Sequence, residues 1–270
     1  MALRFMLVAS LLGSAAAAGA ESVPRQPTAK WTVNFDAAGC VATRSYGTAK
    51  EPLYLALKAP PVGNVMQLAV MRKGGTMVAE QKDATITTDQ RPSLRTSMLT
   101  YGPKGGKLRV YLLNMSSADF RQVRAAKTLA IRSVGLNETF SLSQIEPLLR
   151  TMDRCVEDLR NVWNVSDPAG EQSILISRAK ANLASLIKDE DYPAAAMEGN
   201  QSGVVRFALL VDEQGKVADC TVIETSGVPT LDAQSCAIIK QRAKFEPAIG
   251  PDGKPAKDAK VGTIRWVMAD

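Results

Sequence analysis

Residues 203–224 read GVVRFALLVDEQGKVADCTVIE, and this stretch decides the fold of the C-terminal part of the chain. Val205, Phe207, Leu209 and Val211 recur at every second position and fall on one face, which is the period of a β-strand. Glu213-Gln214-Gly215 then supplies a turn in which glycine can take a positive φ. Because Lys216 to Glu224 can return as a second strand, the stretch predicts a β-hairpin.

The residues around this hairpin predict an α+β domain. Ser226-Gly227 ends the second strand, and Thr230 is placed to cap a helix from Leu231 to about Ala243. A last strand is expected near Lys260 to Met268, and an amphipathic helix is expected before the hairpin, from Ile174 to Lys188. The predicted order is helix, β, β, α, β.

The N-terminal half predicts a mainly antiparallel β domain with helices. Strand-like runs separated by turn-forming residues are Trp31–Phe35, Cys40–Tyr46, Leu53–Leu57, Val65–Met71, Ala84–Thr87, Leu108–Asn114 and Thr128–Val134. One helix is expected over Ser117–Ala126, with Ser117 as its N-cap. A second is expected to begin near Ser141 or Ser143, where Ser143 and Glu146 have the spacing of a capping box.

Composition shifts divide the chain into four parts. We expect a signal peptide over residues 1–20, a β-rich domain of unknown role over 21–165, a polar linker over 166–173, and a second domain over 174–270.

The opening residues are typical of a secretory signal. Arg4 precedes an apolar run from Phe5 to Leu12, and Ala18-Gly19-Ala20 matches an A-x-A-like cleavage site. A spanning helix needs about 20 strongly apolar residues, whereas Ser14 to Ala20 is mostly alanine and glycine. The sequence therefore predicts a periplasmic protein, exported by a cleaved signal peptide.

The chain contains no histidine, which excludes Ser-His-Asp and Cys-His catalysis. Its four cysteines allow three disulfide pairings, and in an oxidising compartment they indicate disulfides before metal ligands. We predict one bridge per domain, Cys40–Cys155 and Cys220–Cys236. We expect no cofactor, no metal and no enzymatic activity.

Short motifs of the C-terminal part stand in the order and spacing of the TonB C-terminal domain, which the segment from about Asp189 to Met268 resembles. The residues that carry this resemblance are Asp191-Tyr192-Pro193, Gly203-Val204-Val205, Asp212 through Gly215 to Val217, Thr225-Ser226-Gly227, Leu231-Asp232 and Phe245-x-Pro247-Ala248.

The resemblance implies an adaptor that binds an extended peptide along a sheet edge. The expected edge is the last strand, with Thr263, Ile264, Arg265 and Trp266 as partner-binding residues. Expected partners are a segment of an outer-membrane receptor, another periplasmic protein or cell-wall material. The last strand could instead be central in its sheet, or a second copy of the domain could cover its edge as a homodimer. No nucleic acid is expected.

Two alternatives stay open. The first is an energy transducer for TonB-dependent transport, retained in the inner membrane by an uncleaved N-terminal segment. The second is an enzyme built on the carboxylates Glu146, Asp153, Glu157 and Asp158. Their spacing also suits a solvated helix face that carries Arg150, Arg154 and Arg160.

Overall fold

The computed structural model describes residues 23–36, 38–89, 91–103 and 105–268. The predicted signal peptide, residues 1–20, lies outside the described residues. Within them, no helix is long and apolar enough to cross a membrane. The fold class is confirmed, because a large antiparallel sheet with helices is followed by a smaller domain of mixed helix and strand.

The N-terminal domain is built on a nine-stranded antiparallel sheet of order β1-β2-β3-β4-β7-β6-β5-β8-β9. Its strands are β1 (Thr32–Asp36), β2 (Gly39–Ser45), β3 (Leu53–Ala59), β4 (Val65–Lys73), β5 (Met77–Thr88), β6 (Arg91–Gly102), β7 (Leu108–Ser116), β8 (Thr128–Ser133) and β9 (Leu136–Ser141). The sequence predicts only the end of β5 and misses β6 and β9.

The sheet curves until its last strand comes close to β2. The Arg25 N–H donates to the Thr139 carbonyl of β9 at 2.7 Å, and the Thr28 N–H donates to the Ser45 carbonyl of β2 at 2.9 Å. The Tyr46 hydroxyl donates to the Ser141 carbonyl at 2.8 Å. The segment before β1 therefore joins the two sides of the curved sheet.

Two helices pack in this domain, and both begin differently from the prediction. Helix α1 spans Ser117–Arg124, and its cap is Ser116, whose side chain accepts from the Asp119 N–H. Helix α2 spans Ile145–Val162 and follows Gln144, which has a φ of 61° and makes no side-chain cap. Glu146 is therefore the second helical residue, too early for the predicted capping box with Ser143.

The apolar face of α2 packs against the inside of the sheet. Its buried residues are Ile145, Leu148, Leu149, Met152, Cys155, Val156 and Leu159. Cys155 forms a disulfide with Cys40 of β2, at a Cα–Cα distance of 6.1 Å. The helix is therefore bonded to the sheet across 115 residues of sequence.

The C-terminal domain holds a three-stranded antiparallel sheet of order β11-β10-β14. Its elements are α3 (Ala194–Glu198), β10 (Gly203–Val211), β11 (Val217–Glu224), α4 (Pro229–Arg242), β12 (Ala248–Ile249), β13 (Pro255–Ala256) and β14 (Asp258–Trp266). The predicted hairpin is β10 and β11, joined through Gly215 with a φ of 75°.

Both faces of this sheet are at least partly covered. Val205, Phe207 and Leu209 of β10 lie in a core shared with α4. On the other face, Ala208 and Leu210 lie in the core of the N-terminal domain. A strand buried on both sides explains why residues 207–211 are apolar without interruption.

The helix predicted over Ile174–Lys188 is wrong. Ser177 and Lys180 form isolated bridges with Ile249 and Glu246, and only residues 183–186 and 189–191 are helical, as short 3₁₀ turns. Backbone pairing with a distant segment overrides the local amphipathic period here. A short helix, α3, does precede the strands.

The start of α4 also differs. Thr230 is its second residue, and the cap position is Val228, which has no capping side chain. Pro229 opens the helix and has no N–H to satisfy. Thr230 is therefore not the N-cap.

Candidate functional site at the outer edge of β14

Strand β14 is an edge of the three-stranded sheet. It pairs with β10 without a register shift, from Gly203 opposite Trp266 to Val211 opposite Asp258. Among the described strands it has no other partner. The position expected for the last strand is therefore the position that the structure gives it.

Hydrogen bonds from side chains reveal which backbone groups of β14 point away from β10. Arg178 Nη2 donates to the Ala259 carbonyl at 2.6 Å from the outer side. In a strand, the N–H and C=O of one residue point the same way and alternate along the chain. The backbone groups of Val261, Thr263 and Arg265 therefore also point outward.

The two halves of this edge differ in accessibility. Near Asp258 and Ala259 it is covered by the segment around Arg178, whose Nε donates to Asp258 Oδ1 at 2.8 Å. From Val261 to Trp266, none of the backbone hydrogen bonds among the described residues reaches an outward group. Only the second half of β14 is open to a new strand.

The four predicted partner-binding residues separate into two pairs. Thr263 and Arg265 are exposed, whereas Ile264 and Trp266 are buried. Trp266 Nε1 donates to Ser235 Oγ of α4 at 2.9 Å. The Trp266 ring also meets Tyr192 edge-on, at a centroid distance of 5.3 Å. Ile264 and Trp266 therefore hold the strand in place, and Thr263 and Arg265 can face a partner.

At three glycines of this sheet, neighbouring atoms lie so close to the backbone that a side chain would not fit. A Cβ on Gly203 would lie 2.7 Å from the Ser226 Cβ, and one on Gly215 would lie 2.1 Å from the Phe245 carbonyl oxygen. A Cβ on Gly262, within the open edge, would lie 2.5 Å from the Phe207 ring. These contacts bring motif residues together that are distant in sequence.

Asp232 organises the loop between β11 and α4. Its Oδ1 accepts from the Ser226 N–H at 2.8 Å and from Ser226 Oγ at 2.7 Å. Its Oδ2 accepts from the Thr225 hydroxyl. Next to it, Leu231 is buried in the core of the domain. The adjacent motifs Thr225-Ser226-Gly227 and Leu231-Asp232 thus form one turn.

A bidentate ion pair anchors the segment that carries Tyr192 and Pro193. Arg242 of α4 donates to the two carboxylate oxygens of Asp191 at 2.6 and 2.7 Å. The hydrogen bond from Arg242 is the main cause that lowers the pKa of Asp191. The segment is thereby held against α4 and places Tyr192 beside Trp266.

The second predicted disulfide ties β11 to α4. Cys220 and Cys236 are bonded with a Cα–Cα distance of 5.6 Å, so both predicted pairs are at disulfide distance.

The carboxylates of α2, on which the enzyme alternative depends, do not form a cluster. Glu146 pairs with Arg150 at 2.6 Å, and Asp153 pairs with Arg124 of α1 at 2.7 Å. No group of potential metal ligands occurs among the described residues.

The geometry defines a small α+β domain with one half-open strand edge and a motif-built core. Comparison with known families identifies the domain: residues 188–268 match the family model of the Gram-negative bacterial TonB protein C-terminal. This family is a non-enzymatic protein-interaction domain associated with the Gram-negative envelope. The predicted resemblance is therefore confirmed over that segment. No curated protein matches the chain.

Proposed function

We propose that the protein is an exported periplasmic adaptor that binds an extended segment of a partner along the second half of β14. Three residues with outward backbone groups, Val261, Thr263 and Arg265, carry this proposal. They lie in a domain whose family binds proteins. The partner is a segment of an outer-membrane receptor or of another periplasmic protein.

Binding at this edge works through the main chain. Unpaired N–H and C=O groups accept a strand of almost any sequence, so affinity depends little on partner side chains. Arg265 is exposed and adds a preference for an acidic residue opposite it. Since an exposed ion pair contributes about 0–1 kcal/mol, this preference is modest.

Proline substitution at Thr263 tests the mechanism. The Thr263 N–H points outward, so proline removes a donor to the partner and leaves the bonds between β14 and β10 intact. We expect Thr263→Pro to weaken binding of receptor-derived peptides about tenfold, and Thr263→Ala to leave it nearly unchanged. Peptide arrays and NMR titration measure this, with circular dichroism to match the folded fractions.

The proposal is wrong if Thr263→Pro binds as well as the wild type, or if peptide-induced NMR shifts map to the N-terminal domain.

Cell fractionation tests the proposed location of the protein in the periplasm. We expect the mature chain in the soluble periplasm with Glu21 at its N-terminus. Recovery in the inner membrane with Met1 retained would favour the energy transducer instead.

A further inference from the structure

The outer face of the nine-stranded sheet carries an apolar patch. Leu99 and Tyr101 of β6 and Leu112 of β7 point away from the core and are only half-buried. Burial raises the pKa of the Tyr101 hydroxyl. The outer face of an antiparallel sheet is ordinarily polar, so apolar residues there indicate a surface that another chain or molecule covers.

The C-terminal domain stands over this patch without filling the space above it. Asn114 Nδ2 donates to the Val222 carbonyl of β11 at 3.3 Å, and Thr225 Oγ1 lies 3.2 Å from Gln81 Oε1. Between these contacts lies a cleft of about 510 Å³, lined by both domains. This volume is within the range of ligand-binding sites in proteins, about 300–1,000 Å³.

One wall of the cleft is the outer edge of β11. Because Asn114 reaches the Val222 carbonyl from outside the sheet, the alternation places the backbone groups of Cys220 outward as well. Cys220, Thr221 and Val222 all line the cleft. Among the described backbone groups, none pairs with the outward groups of Cys220. The Asn114 amide already occupies one position that a peptide amide would take.

The charged side chains that line the cleft indicate which kind of ligand it binds. The two charged side chains that line the cleft are Lys58 and Asp232. Lys58 pairs with Asp219 at 3.5 Å, and Asp232 is occupied by Ser226. Lys58 thus has an anionic partner, and Asp232 already accepts hydrogen bonds from Ser226 and Thr225. Gln67, Gln81 and Asn114 add amide groups to the lining, some of which are already hydrogen-bonded within the chain. The cleft therefore suits an uncharged ligand with amide groups and apolar side chains.

We infer that the cleft between the domains binds an extended, uncharged peptide that pairs with β11 and lays alternate apolar side chains on Leu99, Tyr101 and Leu112. The site continues the existing contact between β11 and the nine-stranded sheet, so a bound peptide touches both domains at once. It lies on the sheet edge opposite to β14 and does not depend on the function proposed for that edge.

The probe is a fluorescently labelled eight-residue peptide in which valine alternates with serine and glutamine. We expect saturable binding, and we expect the double variant Leu99→Gln/Leu112→Gln to weaken it about tenfold or more. Val78→Gln is the matched control, because Val78 is 78% exposed on the same sheet and does not line the cleft. It should bind the peptide as the wild type does.

Hydrogen exchange locates the peptide independently of affinity. We expect slower exchange at the Cys220 and Val222 amides when the peptide is bound, and the Thr263→Pro variant should bind it unchanged. Equal binding by the double variant, or protection confined to β14, would overturn the inference. Binding of dodecanoic acid in the cleft without binding of the peptide would also overturn it and would indicate a lipid site.

Discussion

The two outer strands of the C-terminal sheet flank the same central strand, yet their edges meet different surroundings. The outward groups of β14 are covered near Ala259, and within the described part of the chain no backbone group pairs with them from Val261 onward. The outward groups of β11 face the N-terminal domain across a cleft, and one of them is bonded by Asn114. The pairing with β10 decides which residues point outward, whereas neighbouring segments decide which of them a partner can reach.

The largest effect is expected from removing Arg178, the residue that covers the first half of the β14 edge and distinguishes it from the second half. Asp258 is fully buried, and Arg178 is its charged partner. Arg178→Met leaves the carboxylate without that cation, so we expect unfolding to become easier by about 3–5 kcal/mol. Urea denaturation measures the change. Arg206→Met, which breaks an exposed pair with Glu224, is the control and should cost less than about 1 kcal/mol.

The anchor of β11 is covalent. Replacing both Cys220 and Cys236 by alanine removes a bridge between residues 16 apart, and we expect a loss of about 3 kcal/mol in the chain-entropy description. Thermal and urea unfolding measure it. A loss much below 1 kcal/mol would mean that packing of α4 alone holds β11 in place.

A smaller effect is expected at Trp266, where a substitution can remove the hydrogen bond at the end of β14 and keep the aromatic packing. Trp266→Phe keeps an aromatic ring beside Tyr192 but loses the bond to Ser235. We expect a loss of about 1–2 kcal/mol. Ser235→Ala removes the same bond from the other side, so the double variant should cost less than the sum of the two single variants. Additive losses of stability in the two single variants would contradict the hydrogen bond between Trp266 and Ser235.

The smallest effect concerns the contact between the domains. Burial raises the pKa of Asp219, but Lys58 and Lys240 outweigh it, and the pKa is lowered overall. The stabilisation is therefore present above the unfolded value of about 3.9 and is lost as the pH falls through the folded value.

We expect Lys58→Gln to cost about 1 kcal/mol or less at pH 7, with the difference from the wild type shrinking below about pH 4. Urea denaturation at several pH values measures it. Lys73→Gln is the control, because Lys73 pairs with Glu51 within the N-terminal domain. A Lys58→Gln loss that persists unchanged at low pH would show that Asp219 is not the partner that matters.

Sequence reasoning succeeded where local chemistry determines the structure. The hairpin around Gly215 follows from alternation and a turn glycine. The edge position of β14 follows from the family resemblance and not from the period of its residues. The split between exposed Thr263 and buried Trp266 does follow from strand alternation.

Sequence reasoning failed where contacts with distant residues override the local preference for a secondary structure. The segment over Ile174–Lys188 has a helical apolar period, but Asp258 and Glu246 bind its backbone in an extended form. Strand β6 contains Pro92 close to its start, and because proline has no N–H to donate to a strand ladder, the local signal for this strand is weak. The cleft was missed as well. Its signal was present in Met98 and Leu99, because consecutive apolar residues in a strand predict cover on both faces.

In the proposed binding mode, the covered first half of β14 limits how long a partner stays bound. An incoming strand pairs only with Val261, Thr263 and Arg265, each with one N–H and one C=O. About six hydrogen bonds at a net of about 0.5–1.5 kcal/mol each give a ceiling of about 3–9 kcal/mol before association costs are subtracted. Affinity in this range is micromolar or weaker, so complexes dissociate quickly. Such an edge suits brief, repeated encounters with many partners.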